Sequence, residues 1–500
     1  MWDRLGGVVL LTAALTLPAS ILILGGTVYD GLGNPGVRAD VRIVGERIAA
    51  VGKLTPAPGE TVLDARGMAV APGFIDAHSH ADGGIVDDPL AESQIRQGIT
   101  TAIVGQDGGG AHPITDLFST IERAKPALNF AAFAGHGVIR RSVMGDGFKR
   151  AARPDEIASM RRAVASDMMA GAIGVSTGLE YDPGFYSTTE ELIEVASVAA
   201  QYGGVYASHV RDEGNGVMDS LREVIRIAKD AGIPAHISHI KLATHGVWGK
   251  ADAALSLLRS ARDDGLDITA DVYPYTYWQS TITVLTLEKN WEDRAVWERA
   301  LSDVGGPRNV MLSQYTPNAA WEGKTLEEIA RGVEKDAIWV IQEIISKTHG
   351  PNAVGRESIV CTAMAEHDLR MLMFSPLTMF CSDGAIGGSH PRGAGAFPRF
   401  FARYVRQQGT LRMETAVWKA TGFPATRFGL HERGAIAVGR FADVFVFDAQ
   451  SLEDRSSTKQ PKEFAVGAKH LLVNGTVVLR DGKMTGARPG KLLRRQASRM

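Results

Sequence analysis

The segment Val70–Asp82 (VAPGFIDAHSHAD) runs from an apolar stretch straight into two histidines separated by one small residue. Side chains two apart on an extended strand leave the same face, so His78 and His80 can converge on one point. Imidazole is the commonest nitrogen donor for zinc-class metals, and two at one strand end supply half of a site. A His-x-His pair also arises by chance, so its support must come from the spacing of residues farther along the chain. Four more donors each close a short apolar run: Asp107 after Ile99–Gln106, His209 after Gly204–Ser208, His239 after Pro234–Ser238, and Asp383 after Met379–Ser382. Singly, each has a bland explanation as a hydrogen-bonded loop histidine, a turn aspartate or a helix N-cap. Six such residues at the same end of successive strands point instead to a site for one or two zinc ions.

His236 and His239 are three apart and face opposite ways on a regular strand, so His239, nearer the strand end, is the better ligand, and Lys241 shares its face. The other histidines are open. A supporting or substrate contact suits His136, and a surface position suits His112, His245 and His390.

Those donors need a frame that delivers them to one rim. From residue 71 onward, apolar strand candidates recur about every thirty residues with helical patterns between them, the rhythm of consecutive βα units. Eight such strands are expected, near Phe74, Ile99, Phe130, Ala172, Gly204, Pro234, Ile268 and Met379. The fold class is therefore α/β, a (β/α)8 TIM-like barrel over residues 71–431, whose chemistry lies at the C-terminal strand ends. The stretch from Asp271 to Asp383 is too long for one unit, which predicts an inserted helical lobe near 288–349. Residues 20–70 and 432–490 read as short strands punctuated by turns, and fold together most simply as one small β-sandwich.

Composition narrows the partners. The chain has 500 residues, 45% of them hydrophobic, and a net charge of −2, which gives nucleic acid or an anionic membrane no electrostatic foothold. Only Cys361 and Cys381 occur, so no disulfide framework is expected and buried free thiols are. Residues 1–19 place Arg4 before an apolar run that ends in Pro18-Ala19, the outline of a signal peptide. Export to the periplasm or medium follows if that segment is a leader, and a cytoplasmic location if it is a tail. Oligomeric state is not legible.

Longer stretches carry a resemblance. APGFIDAHSHAD (71–82), GITTAIVGQDGG (98–109), GHGVIRRSVMG (135–145), GVSTGLEYDPG (174–184), SHVRDEG (208–214), HISHIK (236–241), DVYPYT (271–276) and CSDGAIGGSHPR (381–392) are similar to the amidohydrolase superfamily. Within it, they resemble the N-acyl-D-amino-acid deacylase (D-aminoacylase) group. The resemblance implies a barrel with a flanking β-sandwich and a zinc-dependent amide hydrolase acting on a small N-acyl amino acid or dipeptide. It makes His209 and His239 ligands of a tightly held zinc, and His78 and His80 the pair at a second position. Asp383 becomes the strand-eight carboxylate that contacts metal and handles protons. Lys241, Tyr181 and Ser280 fall where the group holds the substrate's carboxylate or carbonyl, and Arg392 is a further candidate for the carboxylate. One departure stands out: best-known members carry a cysteine after strand two, where this chain has Asp107. A carboxylate is a harder donor that can bridge two ions. Related hydantoinases and dihydroorotases bridge their metals with a carboxylated lysine on strand four, and no lysine occurs in 174–184. A dipeptidase or cyclic-amide hydrolase on the same scaffold is the rival enzyme, and a non-catalytic binding barrel the rival outside enzymology.

Overall fold

The computed structural model describes residues 20–349 and 353–495; the expected leader over 1–19 lies outside the described residues. The chain is of α/β class. Three parallel strands, Phe74–Asp76, Ile99–Val104 and Asn129–Ala132, form one sheet. Six more, Ala134–Gly135, Gly174–Gly178, Val205–His209, Ala235–Ile237, Ile268–Val272 and Thr378–Phe380, form a second. Hydrogen bonds from Phe133 N to Val104 O and from Ile173 N to Ala132 O, each 3.0 Å, carry the ladder from one sheet to the next. At the opposite margin, Asp383 N donates to His78 O at 2.8 Å and His80 N to Gly384 O at 2.9 Å.

These strands are buried throughout, as parallel strands covered by helices must be. The covering helices show why. Val217–Ala231 buries Val217, Leu221, Val224 and Ala228, one stripe at helical spacing, and turns its charged residues outward.

Both ends of the described chain enter one nine-stranded sheet. Its order is Lys483–Met484, Thr476–Arg480, Ala468–Val473, Val444–Phe447, Ala69–Pro72, Ser20–Val28, Val37–Val44 and Arg47–Gly52, with Thr61–Asp64 beside Ser20–Val28. Strand periodicity lets Val444–Phe447 serve two cores at once. Val444 and Val446 pack with Val41, Ile43 and Val70 inside the sheet, whereas Phe445 and Phe447 point into the main core. There the Phe74 ring lies 5.2 Å from Phe445 and 5.1 Å from Phe401, in edge and stacked contacts. The apolar run that leads to the histidines is thus two strands. Ala69–Pro72 pairs with Val444–Phe447, and Phe74–Asp76 pairs with Ile99–Val104. Gly73 makes the step between them, where a Cβ would come within 2.2 Å of the Thr100 side chain.

Two expectations need correction. The insert between the strands Ile268–Val272 and Thr378–Phe380 is not purely helical: it holds a four-stranded sheet built from Trp278–Ser280, Val310–Tyr315, Lys324–Thr325 and Glu357–Cys361. Its helices Arg294–Asp303 and Ala337–Thr348 fall inside the expected 288–349, but the sheet carries the lobe out to 278 and 361. The first parallel strand also stops at Asp76, so His78 and His80 sit just beyond it rather than on its pleat. Among the described residues no helix is long and apolar enough to cross a membrane.

Phe445 is the mortar between the two cores. Phe445→Ala is expected to cost about 3–5 kcal/mol of stability, read as a lowered denaturation midpoint in urea.

Candidate metal centre

His78, His80, Asp107, His209, His239 and Asp383 converge at the C-terminal ends of the parallel strands, and all but the buried His78 line a cavity of about 570 Å³. Asp107 stands at the middle. Its Oδ2 lies 3.4 Å from His78 Nε2 and 3.3 Å from His80 Nε2. Its Oδ1 lies 3.5 Å from His239 Nε2 and 3.9 Å from His209 Nδ1. One carboxylate therefore turns one oxygen to each pair of imidazoles. Asp383 closes the ring, with Oδ1 at 3.6 Å from His78 Nε2 and 3.3 Å from His80 Nε2, and Oδ2 accepting from Arg392 Nη1 at 2.6 Å.

Backbone geometry at this rim is costly. Asp107, His239 and Asp383 all adopt positive φ, at 55°, 35° and 51°. Such conformations cost of order 1–3 kcal/mol each and persist only where the surroundings enforce them. The enforcement is visible. Asp271 Oδ1 accepts from His239 N at 2.6 Å, and Asp76 Oδ1 accepts from Ser382 N at 2.7 Å, next to Asp383. The Asp107 loop is braced by Ser176 Oγ, which donates to Gly105 O and accepts from Gly108 N. It also packs onto Gly178, where a Cβ would meet Asp107 O at 2.2 Å.

The donor set fits a metal by its unfilled valences. Both ring nitrogens of fully buried His78, together with Asp107 Oδ1, have no hydrogen-bond partner. Groups like these are rare in protein interiors and are satisfied when they ligate an ion. The electrostatics agree. Burial opposes a charge on His80 and His239, yet the facing carboxylates raise both to about 10, so protons hold the place of a cation. Burial alone would raise Asp107 and Asp383, but the imidazoles, and Arg392 beside Asp383, hold both well below the usual carboxylate range.

The nitrogens turned away from the rim are also held. His209 Nε2 lies 2.9 Å from Glu180 Oε2, and His239 Nδ1 lies 3.0 Å from Glu213 Oε1. Lys241 Nζ donates to Glu213 Oε1 at 2.6 Å and lies 2.7 Å from His239 Nδ1. Glu180 and Glu213 were not among the expected site residues. Glu180 obeys the same rule as the others, standing two residues past the strand Gly174–Gly178. Glu213 lies in a loop four residues beyond His209, where no periodicity marks it.

Tyr181, Ser280, Lys241 and Arg392 all line the cavity. Ser280 Oγ donates to Tyr181 Oη at 3.5 Å, and the Tyr181 ring sits 4.6 Å from that of His209. The remaining histidines lie apart from the ring. His136 pairs with Glu191, and His112, partly buried, pairs with Asp167, each at 2.9 Å. His390, left open by the sequence, is buried, and its Nδ1 accepts from the backbone N of Arg392. His236 faces away from the rim as expected, against Asp271 and Thr269. Both cysteines are buried and free.

Comparison with known proteins places this geometry. An amidohydrolase family model matches residues 61–280 and 345–479. An N-acyl-D-glutamate deacylase of Alcaligenes xylosoxydans xylosoxydans is 37% identical, over 96% of this chain and 97% of its own length. A solved D-aminoacylase described by its binuclear metal centre superposes with a TM-score of 0.85 at 33% identity, covering 96% of this chain and all of its own. A solved N-acyl-D-glutamate deacylase of Bordetella bronchiseptica, complexed with zinc and a phosphonate mimic of the tetrahedral intermediate, gives 0.85 at 31% identity. It covers 96% of this chain and 99% of its own.

A carboxylate on the far nitrogen of a ligating histidine fixes its tautomer and orientation. Glu213→Gln is therefore expected to weaken zinc binding by about 10–100-fold, measured by competition with a chromogenic chelator, with Glu213→Asp recovering part of the loss.

Proposed function

The chain belongs to the amidohydrolase family, and on that footing we propose that it is a zinc-dependent deacylase that hydrolyses the amide bond of N-acyl-D-amino acids. The observation that carries this reading is Asp107 with one oxygen turned to each histidine pair, a two-ion donor set built around a carboxylate. His209, His239 and Asp107 would hold one zinc, and His78, His80, Asp107 and Asp383 the other. Bound zinc supplies Lewis acidity, polarising the scissile carbonyl and lowering the pKa of water toward neutrality.

The chain's own residues do the rest. Asp383 takes a proton from the attacking water at Oδ1 and returns it to the leaving amine, while Arg392 pins Oδ2 and fixes the carboxylate plane. Arg392 lines the cavity beside Asp383, which suits its guanidinium to receive the substrate's α-carboxylate. Lys241, already committed to Glu213, steadies that end of the site and serves the carboxylate second. Burial, aided by Glu180 and Asp107, raises Tyr181 well above its ordinary value, so its hydroxyl keeps a proton to donate toward the substrate carbonyl beside Ser280.

For the frame, we read the two parallel sheets as arcs of one closed (β/α)8 barrel. The supporting contacts are those just past the strands Phe74–Asp76 and Thr378–Phe380, at His78–His80 and Asp383–Gly384. The nine-stranded sheet, with its own apolar core, is read as the flanking β-sandwich, with units near 20–70 and 432–490 about a barrel at 71–431. Export rests on residues 1–19 alone, and N-terminal sequencing of the native protein decides it: an intact Met1 ends that part of the reading.

A panel of N-acetyl-D-amino acids, their L forms and dipeptides, assayed with zinc-loaded protein, tests the activity; turnover confined to the L forms or dipeptides would overturn it. Asp383→Asn is expected to keep zinc at the His209–His239 position and to lose about 10²–10⁴-fold in kcat, measured alongside metal content. Near-normal turnover at full metal content would remove Asp383 from proton transfer.

A further inference from the structure

The six donors divide into two unequal halves about Asp107. One half is His78 Nε2, His80 Nε2, Asp107 Oδ2 and Asp383 Oδ1; the other is His209 Nδ1, His239 Nε2 and Asp107 Oδ1. In the first, the two carboxylate oxygens lie 3.4 and 3.6 Å from His78 Nε2, and both lie 3.3 Å from His80 Nε2. A tetrahedral zinc with donors at about 2.0–2.1 Å spaces them about 3.3–3.4 Å apart. The nitrogen-to-oxygen edges of such a tetrahedron are therefore already close to their required length. His78 Nε2, though this near both carboxylates, makes no hydrogen bond, so these donors are aimed at a shared point rather than at one another.

The second half is less regular. Asp107 Oδ1 lies 3.5 Å from His239 Nε2 but 3.9 Å from His209 Nδ1, and those two nitrogens hydrogen-bond each other at 3.0 Å. An ion there must break that bond and take its fourth ligand from outside the six donors. Glu213 does not supply it, because its oxygens approach the far nitrogens, at 3.0 Å from His239 Nδ1 and 3.7 Å from His209 Nε2.

Outer charges do not reverse this inequality. Glu180, Glu213 and Lys241 stand behind the second half, and Arg392 stands beside Asp383 in the first. An imidazole ring separates Glu180 and Glu213 from the rim, whereas Asp383 Oδ1 would touch an ion directly. Attraction falls with distance, and Lys241 and Arg392 each offset part of it, so the direct carboxylate counts for more.

We propose that the half built on His78, His80, Asp107 and Asp383 is the high-affinity position and takes the first ion, and that the His209–His239 half fills second. The resemblance to the deacylase group implies the reverse order; donor number and spacing in this chain set it. The inference rests on the zinc-dependent reading above and deepens it. A chain that carries one zinc carries it against Asp383, the carboxylate assigned to proton transfer.

The test takes the zinc-loaded, full-length protein, dialyses it against a chelator to one zinc per chain, and locates the ion in crystals by anomalous scattering at the zinc edge. The peak should fall between His78 and His80. In solution, zinc titration in competition with a chromogenic chelator should resolve a tight and a weak step. His80→Ala should weaken the tight step by more than the about 10–100-fold that loss of an outer partner costs. His209→Ala should abolish the weak step and leave the tight one in place, and Glu213→Gln should move the weak step alone. A single remaining peak between His209 and His239, peaks of equal height at both, or a tight step unmoved by His80→Ala would overturn the order and leave the deacylase standing. A protein that retains zinc at neither position would remove both.

Discussion

Imidazoles and carboxylates crowded at one dry rim are stable only if positive charge sits among them. The interior around His78, Asp107, His239 and Asp383 offers little water to screen that demand, so every nearby element is shaped by it. The carboxylates raise the proton affinity of His80 and His239, and a metal ion would compete with those protons, so that its binding would couple to proton release. Asp107 is the pivot, because only a group with two equivalent oxygens can face both histidine pairs at once.

Around that pivot, the molecule's rigidity is arranged in layers. Asp271 holds the backbone of His239, Asp76 holds Ser382 beside Asp383, and Ser176 holds the turn before Asp107. Each brace comes from another parallel strand, so the positions of the donors rest on the strands rather than on the loops alone. The lobe contributes differently. It lines the chamber above the donors, through Val296, Ala300 and Val304.

Much of this could be read from residues in order, because parallel strands deliver their next polar residue to a common edge. His78, His80, Asp107, His209, His239 and Asp383 were legible for that reason, and so was the α/β alternation. Glu213 was not, since its approach to His239 depends on how the loop after His209 folds back, which no local period encodes. The sheet in the lobe was hidden as well: in Val310–Tyr315 (VMLSQY) exposed Gln314 interrupts the apolar run, and its partner Glu357–Cys361 lies more than forty residues on. The burial of His390, whose Nδ1 accepts from the backbone N of Arg392, was equally illegible. The direction of Lys241 toward Glu213 rather than open solvent could emerge only from three-dimensional neighbours.

The run that leads to His78 is split between two sheets, as Ala69–Pro72 and Phe74–Asp76, and the partner of the first, Val444–Phe447, arrives more than 370 residues later. The last described residues also clasp the third parallel strand, where Phe130 N donates to Lys491 O and Leu493 N to Phe130 O. Ordering of the rim therefore depends on segments that join the growing chain long after all six donors have been made.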